Sequence, residues 1–341
     1  MNFSSSMKKL LCNNYCLIKR VSFSTKPIGL IGAPISKGQK RSGVDQTPDV
    51  IRKAGLIKEL KDFGLNIKDY GNVHFDENVV EPSGGKLRFP ITVGAACKKV
   101  SDAVKNVISD ERLCITLGGD HSVGIGTVHG HSQVHDLCVL WIDAHADINT
   151  VETTMSGNIH GMSCSFFLKD LELSSYGIPG FEWIKPCVQK KNIAYIGLRD
   201  VDPLEKQILR RENILHYTMR DVDELGIFEV TRRALKEINP DGSLSLHVSF
   251  DIDSIDKLVT PSTGTPVLGG LTAREALCFA EEISRIESLH AVDIVEVNPT
   301  LGSKEQIENT LLVTKMVIKA FLGCSRHGGI PKILKEFPNR V

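Results

Sequence analysis

Leu137-Cys-Val-Leu-Trp-Ile-Asp-Ala-His-Ala-Asp-Ile-Asn149 decides how this chain is read. The run Leu137–Ile142, rich in branched and aromatic residues, has the character of a strand buried on both faces of a parallel sheet. It leads straight into Asp143, His145 and Asp147, at spacing i, i+2, i+4. Side chains alternate along an extended backbone, so residues two apart point the same way. If the extension holds through Asp147, two carboxylates and an imidazole converge on one point, and those are ligand types for a divalent metal.

Outward from this stretch the pattern repeats. Residues 27–32 read as a first strand, and 113–117, 192–198, 244–250 and 291–297 as further ones. Helical stretches lie at 92–108, 121–131, 203–212, 228–238, 272–286 and 305–321. An earlier helix opens at Thr47-Pro48, with Thr as cap and Pro at the first helical position, and Ile51, Leu56, Ile57 and Leu60 form its apolar face. Thr272-Ala-Arg-Glu275 is a capping box. Alternating strands and helices predict an α/β fold, a parallel sheet with helices on both faces joined by right-handed crossovers. No linker or repeat interrupts residues 27–330, which are expected to form one domain between a leader, 1–26, and a C-terminal tail, 331–341.

Ligands of open parallel sheets bind beyond the carboxyl ends of the strands. The run 113–117 ends in Gly118-Gly-Asp-His-Ser122, and the run 244–250 in Asp251-Ile-Asp253. The run 291–297 carries Glu296 before Asn298-Pro299. Four strands thus deliver His121, Asp143, His145, Asp147, Asp251, Asp253 and Glu296 to one edge. The first six of these supply four negative charges and two neutral imidazoles; buried together without metal, the carboxylates could not all stay ionised. Two divalent cations would neutralise them, and oxygen-rich ligation without thiolate favours Mn²⁺ over structural Zn²⁺. A metal pair activates water against an electrophile, so the implied chemistry is hydrolysis. His129, His131 and His135 fall along the helix expected at 121–131 and its exit and are read as surface or structural.

At 341 residues with a formal net charge of zero, the chain offers no case for a nucleic-acid surface. No apolar run approaches the roughly 18 residues of a membrane helix. The first 27 residues carry Lys8, Lys9, Lys19, Arg20 and Lys26, and the first acid is Asp45. Removing these five positive charges from a net zero leaves the remainder near −5. This leader is Ser-rich, and Met7, Leu10, Leu11, Leu17, Ile18 and Val21 give it one apolar side, so it reads as a mitochondrial transit peptide, with matrix as the expected location and cytoplasm as the alternative. The nine cysteines form no C-x-x-C pair and suit a reducing compartment; Cys114, Cys138 and Cys278 lie in apolar runs and are expected to be buried.

These motifs resemble those of the arginase family of ureohydrolases. Gly118-Gly-Asp-His-Ser122, Asp143-Ala-His-Ala-Asp-Ile-Asn149 and Ser249-Phe-Asp-Ile-Asp253 match the metal motifs of that superfamily. Ser156-Gly-Asn-Ile-His-Gly161, Gly197-Leu-Arg-Asp-Val-Asp-Pro203, Thr263-Gly-Thr-Pro-Val267 and Glu296-Val-Asn-Pro299 are similar to segments of arginases proper. The likeness covers residues 28–323. It implies a three-layer αβα sandwich around a predominantly parallel sheet of about eight strands, and two Mn²⁺ per subunit. It also implies conversion of L-arginine and water to L-ornithine and urea by a metal-bridging hydroxide attacking the guanidinium carbon.

By the same resemblance, one metal takes His121, Asp143, Asp147 and Asp251, and the other takes Asp143, His145, Asp251 and Asp253. Asp147 then orients the nucleophile, His160 transfers a proton, and Glu296 pairs with the guanidinium. Asn149 and Ser156 hold the substrate carboxylate, Asp202 and Glu205 lie near its amine, and Thr265 lies near the guanidinium site. Arg274, Glu275 and Arg326 resemble contacts of a homotrimer. Two other readings remain: an agmatinase, against which the amino-acid-recognition positions Asn149, Ser156 and Asp202 argue, and a non-catalytic regulatory relative, against which the six intact ligand positions argue. Where many relatives have a small residue and then Asp-Pro after the last metal motif, this chain has Ser254-Ile-Asp-Lys257, and the missing Pro is expected to loosen that loop.

Overall fold

The computed structural model describes residues 26–76, 79–169, 171, 177–324 and 326. The leader with Cys12 and Cys16, and the tail 331–341, lie outside the described residues. β1 (Ile28–Ala33), β2 (Ile67–Asn72), β3 (Leu113–Gly118), β4 (Leu137–Ile142), β5 (Ile193–Leu198), β6 (Leu215–Thr218), β7 (Ser245–Asp251) and β8 (Leu289–Val295) form one sheet. Their order is β2-β1-β3-β8-β7-β4-β5-β6, and every neighbouring pair is parallel. No helix among the described residues is long and apolar enough to cross a membrane.

The sheet is the middle of three layers. On one face Ile51, Leu56, Leu60, Val230, Ala234, Phe279 and Val317, all from helices, pack with Leu140, Val248 and Phe250 of the strands. On the other, Val93, Val100, Val104 and Ile125 pack with Ala291 and Val295, and Val128 packs with Val139 and Trp141. Covering on both sides is why β3, β4, β5 and β7 are buried along their whole length, and why β3, β4 and β5 read as continuous apolar runs or nearly so.

The sheet order explains the site. β3, β8, β7 and β4, whose ends carry the candidate residues, are four consecutive strands in the middle of the sheet. Side chains separated by up to 175 positions in sequence are therefore brought together at one edge.

Several expectations change. The edge strands β2 and β6 escape the sequence reading because a solvent-facing edge lets polar residues into the run: neither is fully buried, and β2 reads Ile-Lys-Asp-Tyr-Gly-Asn. The helix expected from Thr47 is two helices, Thr47–Lys53 and Leu56–Asp62, parted at Gly55, whose φ is 86°. Thr47 is not their cap; Gln46 is, and the Thr47 hydroxyl donates to the carbonyl of Val297. Cys114 and Cys138 are buried as expected, but Cys278 is only partly so.

Candidate metal centre and cavity

β3 ends at Gly118, and the next residues turn sharply under the loop that follows β1. A Cβ on Gly119 would lie 1.8 Å from the Ile35 carbonyl oxygen, so only glycine fits there. Asp120 locks the turn by accepting the N–H of Gly38 at 2.8 Å and of Ser122 at 3.0 Å. His121 is thereby fixed just before the helix Val123–Ser132, which starts two residues later than the expected 121.

The His121 ring stacks on Trp141 with centroids 3.9 Å apart, and its Nε2 faces Ser249 Oγ at 2.9 Å. Its Nδ1 is buried and has no hydrogen-bond partner. Yet that atom lies 3.0 Å from Asp143 Oδ2, 3.1 Å from Asp147 Oδ2 and 3.2 Å from Asp251 Oδ2. Three carboxylate oxygens crowding one buried ring nitrogen is an arrangement that added positive charge, a cation or protons, relieves.

A second group adjoins the first. His145 Nδ1 lies 3.4 Å from Asp143 Oδ1 and 3.2 Å from Asp253 Oδ2. The donor sets His121/Asp143/Asp251 and Asp143/His145/Asp253 each gather within 4.8 Å, and Asp143 belongs to both. Asp251 falls in the first set only; its Oδ1 accepts the N–H of Asp253 at 2.8 Å.

Asp147 arrives by a route the sequence did not suggest. β4 stops at Ile142, and the chain does not stay extended: Asp147 has φ 48°, a left-handed conformation unusual outside glycine. Strict alternation fails, but the turn still aims the carboxylate at His121.

Electrostatics follow from this crowding. Burial alone would raise Asp143, but the two flanking histidines win and hold it well below the usual carboxylate range. Burial and the neighbouring Asp143 push Asp147 up to about 6. Burial, Asp253 and Asp143 together push Asp251 well above its ordinary value. Without a cation, the cluster balances only by holding extra protons.

Glu296, also left-handed at φ 64°, lies behind the cluster. Its Oε1 accepts the N–H of His121 at 2.9 Å and faces His160 Nδ1 at 3.1 Å, while Oε2 accepts from Gln39 Nε2 at 2.7 Å. Burial opposes protonation of His160, but the Glu296 carboxylate prevails and raises it to about 9.

In front is a cavity of about 300 Å³ lined by His145, Asp147, Asn149, Ser156, His160, Asp202, Glu205, Asp251 and Thr265, among others. Asn149 Nδ2 donates to Asp202 Oδ2 at 3.1 Å, and Thr265 Oγ1 donates to Asp253 Oδ2 at 3.0 Å. Ser156 Oγ accepts the N–H of Asn158 at 3.2 Å. Both oxygens of Glu205 are engaged by backbone, by the N–H of Ile148 at 3.0 Å and of Asp202 at 3.1 Å.

Partners the sequence did not single out complete the centre. The Trp141 indole donates to Asp143 Oδ2 at 3.0 Å, and Asp200 lies 3.7 Å from His145 Nε2. Trp141 stands two residues before Asp143, on the same strand face, which was the available signal. Arg199 donates to the carbonyls of Asp253, Ser254, Ile255 and Val267. Asp256 accepts the N–H groups of Gly269 and Gly270 at 2.6 and 3.1 Å. These bonds hold the loop that the missing proline was expected to loosen. Arg326 pairs with Glu281 of its own chain at 2.9 Å, and Glu275 caps the helix Ala273–Ile283 through Thr272.

The chain matches the model of the Arginase family over residues 26–323. It is 46% identical over 309 residues to Arginase-1 of Bos taurus, covering 89% of this chain and 96% of that protein. To mitochondrial Arginase-2 of Homo sapiens it is 44% identical over 333 residues, covering 96% and 93% respectively. The solved arginase of Bacillus caldovelox superposes with a TM-score of 0.79 at 35% identity, over 88% of this chain and 99% of the other.

Proposed function

The chain belongs to the arginase family, and from that premise we propose that it is a binuclear manganese hydrolase converting L-arginine and water to L-ornithine and urea. The observation that carries this is the bare, buried Nδ1 of His121 facing three carboxylate oxygens, beside a second donor set that shares Asp143. One cation would be held by His121, Asp143, Asp147 and Asp251, the other by Asp143, His145, Asp251 and Asp253. Four carboxylates and two imidazoles without thiolate suit Mn²⁺. When bound, such a pair lowers the pKa of water and makes it a nucleophile at neutral pH.

The chain's own residues supply the rest. Asp147 borders both the cluster and the cavity and orients the attacking water. His160, protonated at neutral pH through its pairing with Glu296, stands in the cavity wall as donor to the departing amine. Glu296 is the carboxylate for the planar guanidinium, and Gln39 or His160 would yield to it. Thr265 lies beside it. Asn149 and Ser156 receive the α-carboxylate, and Asp202 and Glu205 the α-amine, Glu205 through the backbone it holds. Purified protein reconstituted with Mn²⁺ is expected to release urea from L-arginine and very little from agmatine; the reverse preference overturns the substrate assignment.

Residues 27–330 are proposed as the catalytic domain, with the basic, acid-free leader directing it to the mitochondrial matrix, as the name of the human relative says of that protein. A homotrimer is proposed through Arg274, Glu275 and Arg326; light scattering giving a monomer would refute it.

A further inference from the structure

β7 departs from its neighbours. A strand buried on both faces is expected to be apolar throughout, yet every second residue of Ser245–Asp251 is polar. Ser245, His247, Ser249 and Asp251 share one face, while Leu246, Val248 and Phe250 pack in the core on the other. All four polar residues are buried.

These side chains form one hydrogen-bonded line with Asp293 of β8, the register partner of Ser249. From the metal side, His121 Nε2 faces Ser249 Oγ at 2.9 Å, and Ser249 Oγ donates to Asp293 Oδ2 at 3.5 Å. From the opposite edge of the sheet, Lys26 Nζ meets His290 Nε2 at 3.0 Å, and His290 Nδ1 meets Ser245 Oγ at 2.7 Å. Ser245 Oγ meets His131 Nε2 at 2.7 Å, His131 Nδ1 meets His247 Nδ1 at 3.2 Å, and His247 Nε2 meets Asp293 Oδ2 at 2.9 Å. The Thr127 hydroxyl donates to the same oxygen.

The protons can be placed by logic alone. A carboxylate only accepts and an ammonium only donates. His247 therefore gives Nε2–H to Asp293 and accepts at Nδ1, so His131 carries its proton on Nδ1 and accepts from Ser245 at Nε2. His290 Nδ1 also faces the Ser288 carbonyl at 2.7 Å and must bear a proton, leaving Nε2 to accept from Lys26. Burial lowers both His131 and His290, in keeping with neutral rings. On the other limb, Ser249 gives its proton to Asp293 and so accepts from His121 Nε2–H. The lone pair of His121 is then left on Nδ1, the atom that faces Asp143, Asp147 and Asp251.

We propose that Asp293 is a positioning residue for the metal centre: it is the buried acceptor on which both limbs end, and through Ser249 it fixes His121 in the tautomer whose Nδ1 can take a cation. Groups that orient a liganding imidazole from behind set its affinity for metal. The inference rests on the reading of His121 as a ligand.

The test uses the full chain stripped of metal. Mn²⁺ titration measures affinity, and nitrogen NMR of ¹⁵N-histidine-labelled protein reads the hydrogen bond of the His121 Nε2–H before metal is added. Ser249→Ala and Asp293→Asn are each expected to weaken Mn²⁺ binding roughly 10–100-fold and to abolish the signature of a hydrogen-bonded His121 Nε2–H. Ser249→Thr, which keeps the hydroxyl, is expected to retain both properties. The double variant should be no worse than the weaker single one, because the two residues act in series. Additive losses, or a folded Ser249→Ala that binds Mn²⁺ and shows the His121 signal as the native chain does, overturn the proposal. If Asp293→Asn fails to fold, Ser249→Ala against Ser249→Thr decides it. A native chain that takes up no Mn²⁺ overturns the ligand reading itself, whereas native binding with unaltered variants removes only the role of Asp293.

Discussion

The Trp141 indole N–H holds Asp143 from behind, donating to its Oδ2 at 3.0 Å while the ring stacks on His121. One side chain thus positions a member of the first donor set and the residue common to both. Trp141→Phe keeps an aromatic ring against His121 and removes only the donor. Metal affinity, measured by titration of stripped protein, is expected to fall roughly 10–100-fold; native affinity would show the contact to be packing alone.

Asn149 lies at the cavity wall between Thr153, which donates to its Oδ1 at 2.9 Å, and Asp202. Its proposed task is to bind a carboxylate that agmatine lacks. Asn149→Ala should lower kcat/KM for arginine by roughly 10–100-fold, the equivalent of losing one hydrogen bond to a charged group at about 1.5–3 kcal/mol. The low rate with agmatine should barely move. An equal loss with both compounds would place Asn149 in the cluster's support, not in substrate choice.

Gly119 has no room for a methyl group: the Ile35 carbonyl would lie 1.8 Å from a Cβ. The backbone cannot retreat, because Gly119 N–H donates to Ala33 and Asp120 N–H to Ile35, both at 2.8 Å. Gly119→Ala is expected to cost about 3 kcal/mol, seen as a Tm lower by roughly 5–10 °C and as weaker metal binding through displaced His121. A Tm within a degree or so of native would contradict the geometry.

His160 gives a pH signature in metal-stripped protein. Pairing with Glu296 raises its folded pKa to about 9. The stability from that pairing is complete below the unfolded value near 6.5 and is lost as pH rises through 9. Urea unfolding of the native chain and His160→Asn should give curves that converge between pH 6.5 and 9.5. A constant difference across that range would mean that His160 does not titrate there.

What the sequence disclosed and what it hid follow from where each interaction comes from. β3 and β4 are legible because burial on both faces demands unbroken apolar residues, and their candidate ligands because those residues begin where the apolar run ends. β7 was found despite its polar face, because Leu246, Val248 and Phe250 keep the run apolar on the other. β2 and β6 gave weaker signals because an edge relaxes that demand. The break at Gly55 depends on one left-handed glycine inside an otherwise consistent helical face. Asp147 was placed in the right cluster by the wrong geometry, since alternation cannot foresee a positive φ. Gln39 and Arg199 stayed hidden because their roles arise only from tertiary neighbours.

Metal content per chain tests the two-cation centre most directly. Protein saturated with Mn²⁺, freed of excess by gel filtration and analysed for metal, should hold two ions per chain, and Asp253→Asn, which removes a donor found only in the His145 set, should hold about one and lose activity. One or no ion in the native chain, or two ions and full activity in Asp253→Asn, would contradict it.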